Sequence, residues 1–173
     1  MARIAIDMDG VMADTSQQYI NWYANRYGQT IDINSLVGLP ETEGFPAGKD
    51  VIRSFLYEPG FFRTKPVIKD CQEVVKALFD KHDVFIVSAA MEFPQSLVEK
   101  LDWLKEHFPF IGWERIVFCG SKTIVHADYM IDDHVKNLQS FKGEPLMFTA
   151  PHNVNISGYK RVNSWEEVGQ ILL

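Results

Sequence analysis

Two aspartates one residue apart, Asp7 and Asp9, lie in the stretch IAIDMDGVMADT at residues 4 to 15. In an extended strand, residues i and i+2 point to the same side, so both carboxylates can converge on one site at the strand's carboxyl end. Two carboxylates that close repel each other and raise each other's pKa unless a cation or a donor intervenes, and a divalent metal is the natural solution. An EF-hand calcium loop is ruled out, because it needs acids or amides at positions 1, 3 and 5, Gly at 6 and Glu at 12. Counted from Asp7, positions 5, 6 and 12 are Val11, Met12 and Gln18.

An oxygen-rich magnesium site built on Asp7 and Asp9 calls for further carboxylates from another strand end. YMIDDH supplies them, with Asp132 and Asp133 after an apolar run. Two more apolar runs end in polar residues, Ser88 after VFIV and Lys122 shortly after RIVF. Each has an ordinary explanation alone: Ser88 as a turn or helix cap, Lys122 as a solvated lysine, the Asp pair as a helix amino terminus. Taken together, in this chain order and each after an apolar run, they mark one site.

The elements that must position these residues are short apolar runs at 2–7, 83–88, 115–118, 128–132 and 145–148. Most are continuous rather than alternating, as expected of parallel strands covered on both faces. Between them, Val74, Val75, Leu78 and Phe79, then Leu97, Leu101, Leu104 and Phe108, recur at helical spacing. A last helix carries Trp165, Val168, Ile171 and Leu172 on one face, capped by Asn163 or Ser164. Strand and helix alternate from residue 66 onward, which predicts an α/β fold with a doubly wound, Rossmann-like parallel sheet.

Residues 15–65 break the alternation with a helix bearing Tyr19, Ile20, Tyr23 and Tyr27, followed by a loop-rich stretch. The division expected is a core of 1–14 and 66–173 and a helical cap of 15–65 inserted after strand one. Ligands of open α/β sheets bind beyond the carboxyl ends of the strands, so the cap sits over the crevice as a lid.

The 173 residues suit one domain with an insert. With 46% hydrophobic and 23% charged residues and no repetitive tract, the chain is globular rather than disordered. A net charge of −6 leaves no basic field for a long nucleic acid, though a single nucleotide is allowed. Cys71 and Cys119 are far apart in sequence and read as reduced thiols. Asp7 and Asp9 interrupt any leader-like segment and no run reaches membrane-spanning length, so a cytoplasmic protein with no membrane partner is expected. The sequence is compatible with a monomer or a homodimer.

The combination of DMDGV, Ser88 in IVSAA, Lys122 and DYMIDD resembles the haloacid dehalogenase-like superfamily of phosphotransferases over roughly residues 1–14 and 66–150. A halide leaves without a proton whereas an alkoxide needs a general acid, so Asp9 favours phosphate-ester chemistry over dehalogenation. The resemblance implies two-step covalent catalysis with Asp7 as nucleophile and Asp9 as acid, then base. It also implies Mg2+ held by the Asp7 carboxylate, the Asp9 carbonyl and Asp132, with phosphoryl oxygens held by Ser88, the Ala89 amide and Lys122. Asp133 would orient Lys122 or waters on the metal.

A finer resemblance, in YEPGFFRTKPVIKDCQEVVKAL, LVEKLDWLKEHFPFIG and SKTIVHADYMIDDHVKNL, is to the 5'(3')-deoxyribonucleotidases. Lys122, Thr123, Asp128, Ile131, Asp132 and Asp133 match that family's lysine, threonine, Asp-Leu-Leu-Ile-Asp-Asp spacing. His134 stands where members often carry Arg, and Ser88, Ala89 and Ala90 replace Thr-Ser-Pro, which predicts a weaker or pH-dependent grip on phosphate. The family stacks the base on cap aromatics, for which Trp22, Phe45, Phe61 and Phe62 are candidates; Phe61, Phe62 and His134 are expected to touch substrate. The implied function is magnesium-dependent hydrolysis of deoxynucleoside monophosphates. The alternatives are a sugar phosphate phosphatase of the same fold or a non-catalytic phosphate-binding module.

Overall fold

A computed structural model describes all residues, 1–173. Its centre is a six-stranded sheet in the order β3-β2-β1-β4-β5-β6, parallel throughout. The strands are β1 (Arg3–Ile6), β2 (Asp83–Ser88), β3 (Ile116–Phe118), β4 (Tyr129–Asp132), β5 (Glu144–Phe148) and β6 (Lys160–Val162). The helices are α1 (Thr15–Tyr27), α2 (Lys49–Ser54), α3 (Cys71–Lys81), α4 (Ser96–His107), α5 (Val135–Leu138) and α6 (Trp165–Leu172).

β1 lies between β2 and β4, and the strand order reverses beside it, which makes its carboxyl end the crevice of a doubly wound sheet. Ile6 pairs with Ile86 on one side and Ile131 on the other. That register brings Asp7, Ser88 and Asp132 to the same edge. The buried Ile4, Ala5 and Ile6 point alternately to two apolar layers. One layer holds 21 buried residues, among them Val75, Leu78, Trp103, Leu104 and Trp165 from α3, α4 and α6. The other holds six, with Leu138 of α5 the only helical member. The sheet is therefore covered on both faces, but far more thickly on one.

β6 escapes the sequence pattern because it is a three-residue edge strand, KRV, in which only Val162 is buried. On α6, Ser164 is the cap, its side chain accepting from the Glu167 N–H, and Ile171 faces outward while Trp165, Val168 and Leu172 are buried. On α4 the inward face differs from the Leu97, Leu101, Leu104 and Phe108 stripe: Ser96, Lys100, Trp103 and Leu104 are the buried positions, and Leu97 and Leu101 are half-buried.

A separate apolar cluster of 11 buried residues is drawn wholly from residues 19 to 62. It is built on aromatic packing, with Phe61 against Tyr19 at 5.1 Å, Trp22 at 5.3 Å and Phe62 at 5.4 Å between ring centroids. The chain returns from this cluster to the sheet along α4. There the Glu99 carboxylate accepts from the main-chain N–H groups of Gly60, Phe62 and Arg63 at 2.6 to 3.1 Å. Trp103, one turn on, donates its indole N–H to the Lys65 carbonyl at 2.8 Å. No helix is long and apolar enough to cross a membrane.

Candidate active site

β1 ends at Ile6, and the turn that follows aims Asp7 and Asp9 into the crevice. Gly10 takes a positive φ of 77°, and a Cβ there would stand 2.2 Å from Asp133 Oδ2. Glycine is needed twice over, for the left-handed backbone and for the close approach of the Asp133 carboxylate.

The floor of the crevice holds Asp7, Asp132, Asp133 and Lys122, all buried. The Lys122 ammonium lies between Asp7 Oδ1, to which it donates a very short hydrogen bond, and Asp132 Oδ2 at 2.6 Å. Burial disfavours the lysine's charge, but Asp7 and Asp132 outweigh it and hold the ammonium above the ordinary lysine value. Carboxylate oxygens of Asp7, Asp132 and Asp133 all lie within 4.8 Å of one another. Burial raises the Asp7 carboxyl to about 6, against the pull of Lys122 and with a further push from Asp132 and Asp9. Burial raises Asp133 well above the usual carboxylate range, with Asp132 and Asp7 adding to it.

The hydrogen bonds separate the two acids of DYMIDD. Asp132 accepts from Lys122, from the His134 N–H at 2.9 Å, and on both oxygens from Asn137 Nδ2 at 3.0 Å. Asp133 is 1% exposed, and neither of its carboxylate oxygens has a hydrogen-bond partner. Asp132, expected as the metal ligand, is saturated by donors and positions Lys122, whereas Asp133, expected to support it, has the free oxygens. The turn's hydrogen bonds also end on the Met8 and Ala13 carbonyls and leave that of Asp9 open. Three converging carboxylates, one an unpaired buried group, fit a hard divalent cation such as Mg2+.

The wall of the crevice has the opposite charge balance. Asp9 receives Lys65 Nζ on Oδ1 at 2.8 Å and Lys100 Nζ on Oδ2 at 2.5 Å. Burial pushes the Asp9 carboxyl up, but the two ammonium groups overcome this and hold it well below the usual range. Lys65 also donates to Thr15 Oγ1 at 2.9 Å, and Lys100 to Ser88 Oγ at 3.0 Å. The Phe62 ring lies 4.6 Å from one ammonium and 4.8 Å from the other. Two lysines this buried are tolerable only because every donor group faces a carboxylate, a hydroxyl or an aromatic face.

A cavity of about 230 Å³ opens between floor and wall, and Asp7, Asp9, Ser88, Ala89, Phe62 and His134 line it. Lys122 lies behind Asp7 rather than on the lining, which Lys65 and Lys100 occupy instead. Phe61 does not reach it: the ring is fully buried in the aromatic cluster behind Phe62. Trp22 and Phe45 pack in that same cluster, and the aromatics at the cavity are Tyr19, Phe62 and Phe93. Lys65, Lys100, Asn137 and Glu41 went unread in the sequence. One signal was present: Lys100 falls at i−3 and i−4 from Trp103 and Leu104, inside an inward-facing register.

A parallel sheet with an Asp-x-Asp-Gly turn after its central strand, and lysine and paired acids at neighbouring strand ends, defines the haloacid dehalogenase-like phosphohydrolases. The family model described as "5' nucleotidase, deoxy (Pyrimidine), cytosolic type C protein" matches residues 1–173. The chain belongs to this family of 5'(3')-deoxyribonucleotidases and is a phosphoric monoester hydrolase. It is 42% identical over 173 residues to the 5'(3')-deoxyribonucleotidase of Bacillus subtilis strain 168, covering 98% of each chain. A Staphylococcus aureus strain Mu50 protein, provisionally given that name, is 46% identical over 170 residues, 98% of this chain and 94% of its own. The fold is that of solved hydrolases: a haloacid dehalogenase-like protein of Streptococcus pneumoniae superposes with a TM-score of 0.61 at 13% identity, covering 100% and 99% of the two chains. YfnB of Bacillus subtilis, solved with bound magnesium, gives 0.59 at 12% identity, covering 98% and 97%.

Proposed function

We propose that the protein is a magnesium-dependent phosphatase of deoxynucleoside monophosphates, working through an aspartyl-phosphate on Asp7. The observation that carries this is the division of charge between the wall of one small cavity and the buried group behind Asp7, which alone of that group lines it. The floor sets three carboxylates against one ammonium and so attracts a dication. The wall sets one carboxylate against two ammonium groups and so attracts an anion. A phosphate monoester bound with its metal satisfies both.

Mg2+ would be held by Asp7, Asp133 and the Asp9 carbonyl, supplying positive charge that offsets repulsion between Asp7 and the incoming phosphate. An Asp7 oxygen attacks phosphorus, the bond to the ester oxygen breaks, and the departing oxygen takes a proton from Asp9. Water then attacks the aspartyl-phosphate and gives a proton to Asp9, freeing phosphate and Asp7. Both Asp9 oxygens are tied to lysines in the resting chain. The acid role therefore requires Lys65 and Lys100 to be drawn toward the phosphoryl oxygens as substrate enters, beside Ser88 and the Ala89 amide. Phe62, Tyr19 and Phe93 offer apolar surface for the nucleoside.

The test is phosphate release from 5'- and 3'-deoxynucleotides, ribonucleotides and sugar phosphates, with Mg2+ and with chelator. Release that needs Mg2+ and favours deoxynucleotides is expected. A preference for sugar phosphates would overturn the substrate reading, and full activity in chelator would overturn the metal dependence.

A further inference from the structure

We propose a second metal site, for a transition metal of the Zn2+ class, formed by His134, His152, Asp133 and Glu41 beside the Mg2+ position proposed above. It goes beyond the phosphatase reading and does not depend on which phosphoester is cleaved.

Three of these residues, Asp133, His134 and His152, place one donor atom each within 4.8 Å of the others. His152 Nε2 stands 3.5 Å and His134 Nε2 3.8 Å from Asp133 Oδ2, and Glu41 Oε2 lies 4.0 Å from His134 Nε2. These spacings are long for hydrogen bonds, which mostly run to about 3.2 Å. The shortest, 3.5 Å, is close to the ~3.4 Å between donors set tetrahedrally at Zn–N and Zn–O distances, and the other two would have to close by a few tenths of an ångström. The imidazole rings stack at 4.6 Å with 21° between their planes, and both Nε2 atoms lie within 4 Å of Asp133 Oδ2.

Unpaired polar atoms collect at this point. Both Asp133 oxygens and His152 Nδ1 are buried without a partner. His152 Nε2 has only a 3.3 Å contact to the Asp133 main-chain oxygen, which a metal would displace. Two imidazoles with two carboxylates suit Zn2+, Co2+ or Ni2+, whereas Mg2+ prefers an all-oxygen set. Asp133 belongs to both this group and the Asp7–Asp132–Asp133 group, so its carboxylate would bridge the two ions.

The site sits between two openings, since Glu41 and His134 also line the substrate cavity. Glu41, Asp133 and His152 line a second cavity, of about 350 Å³, that shares Gly10 and Asp14 of the catalytic turn and opens away from Lys65, Lys100 and Ser88. Glu41 comes from the 15–65 segment and the other three from the sheet side. An ion held by all four ties the two together, and Zn2+ is expected to slow turnover without being relieved by excess Mg2+.

The test is a Co2+ titration of the metal-free full chain in saturating Mg2+, read by visible absorption, which reports four-coordinate Co2+ whether or not the protein turns over any substrate. One Co2+ per chain with a tetrahedral spectrum is expected. His152→Ala should weaken its binding at least about 30-fold and Glu41→Gln about 10-fold, on the scale of lost metal-site interactions. His152→Asn and the half-buried Glu41→Gln keep the test valid if His152→Ala does not fold, as judged by circular dichroism. The absence of a tetrahedral spectrum, complete displacement of Co2+ by Mg2+, or unchanged binding in the folded variants overturns the proposal.

Discussion

The floor and the wall of the crevice use the same two residue types in inverse proportion, and they are built by different parts of the chain. On the floor, Asp7, Asp132 and Asp133 extend from strand ends, and Lys122 sits between two of them. In the wall, Lys65 comes from the end of the 15–65 segment and Lys100 from α4, both gripping Asp9. The difference shows how one cavity can attract opposite charges without neutralising itself. Each buried cation is shared among anions in one place, and the buried anion among cations in the other, a few ångströms apart.

The largest effect that would break this comparison is Asp7→Asn. Losing the nucleophile of a unit that acts together should cut phosphate release by about 10⁴-fold or more, with the circular dichroism spectrum unchanged. A residual rate within tenfold of the parent would remove Asp7 from the chemistry.

The two kinds of lysine should then part company. Lys122→Ala leaves Asp7 and Asp132 buried with no counter-charge, and breaking a buried pair in this way costs about 3–5 kcal/mol, seen as a lower midpoint in urea. Lys100→Ala leaves Asp9 with Lys65 still in place, so its main cost is expected in kcat/KM, on the order of a hundredfold, as for loss of one charge-stabilising donor. Equal stability losses in the two variants would erase the distinction between floor and wall.

Glu99→Gln sharpens the comparison from the other side. Its carboxylate holds three main-chain N–H groups that bring Phe62 and the chain before Lys65 onto α4. Losing the charge should cost about 1.5–3 kcal/mol and raise KM more than it lowers kcat, measured by denaturant unfolding and steady-state kinetics.

The smallest effect is a control outside the crevice. Asp83 also faces two cations, Arg3 at 2.7 Å and Arg115, but near the surface. The hydrogen bonds from Arg3 and Arg115 hold its carboxyl below the usual range. A folded-state pKa below the unfolded one means the stabilisation is full above the ordinary carboxylate value of about 4 and is lost as pH falls through the lowered value. At this exposure it should amount to less than about 1 kcal/mol. Asp83→Asn should remove that acid-side slope and leave phosphate release untouched; a change in release would tie the sheet's far edge to the crevice.

The floor was legible because its signals are local. Asp7 after one apolar run, and Asp132 and Asp133 after another, need only the geometry of strand ends to be brought together, and Asp9, the wall's acid, was read with them. The wall's lysines were not. Lys65 follows a loop, and Lys100 lies on a helix where a lysine ordinarily reaches solvent. What buries them is the docking of residues 60–65 on α4, made by Glu99 and Trp103 some forty residues away. The aromatics divide in the same way: composition marked Phe61 and Phe62 alike, and only packing sends one ring into the cluster and the other to the cavity.

The sequence by itself determined the parallel α/β core and the order of the motif residues, which rest on periodicity and on neighbours a few residues apart, and it implied the class of reaction through the family resemblance those motifs carry. Tertiary structure alone decided that Asp133 rather than Asp132 has unpaired oxygens, and that two distant lysines face Asp9. It also alone brought His134, His152 and Glu41 together. The physical reason is that a carboxylate's partners are chosen by contacts between segments far apart in the chain, and no local pattern of residues records them.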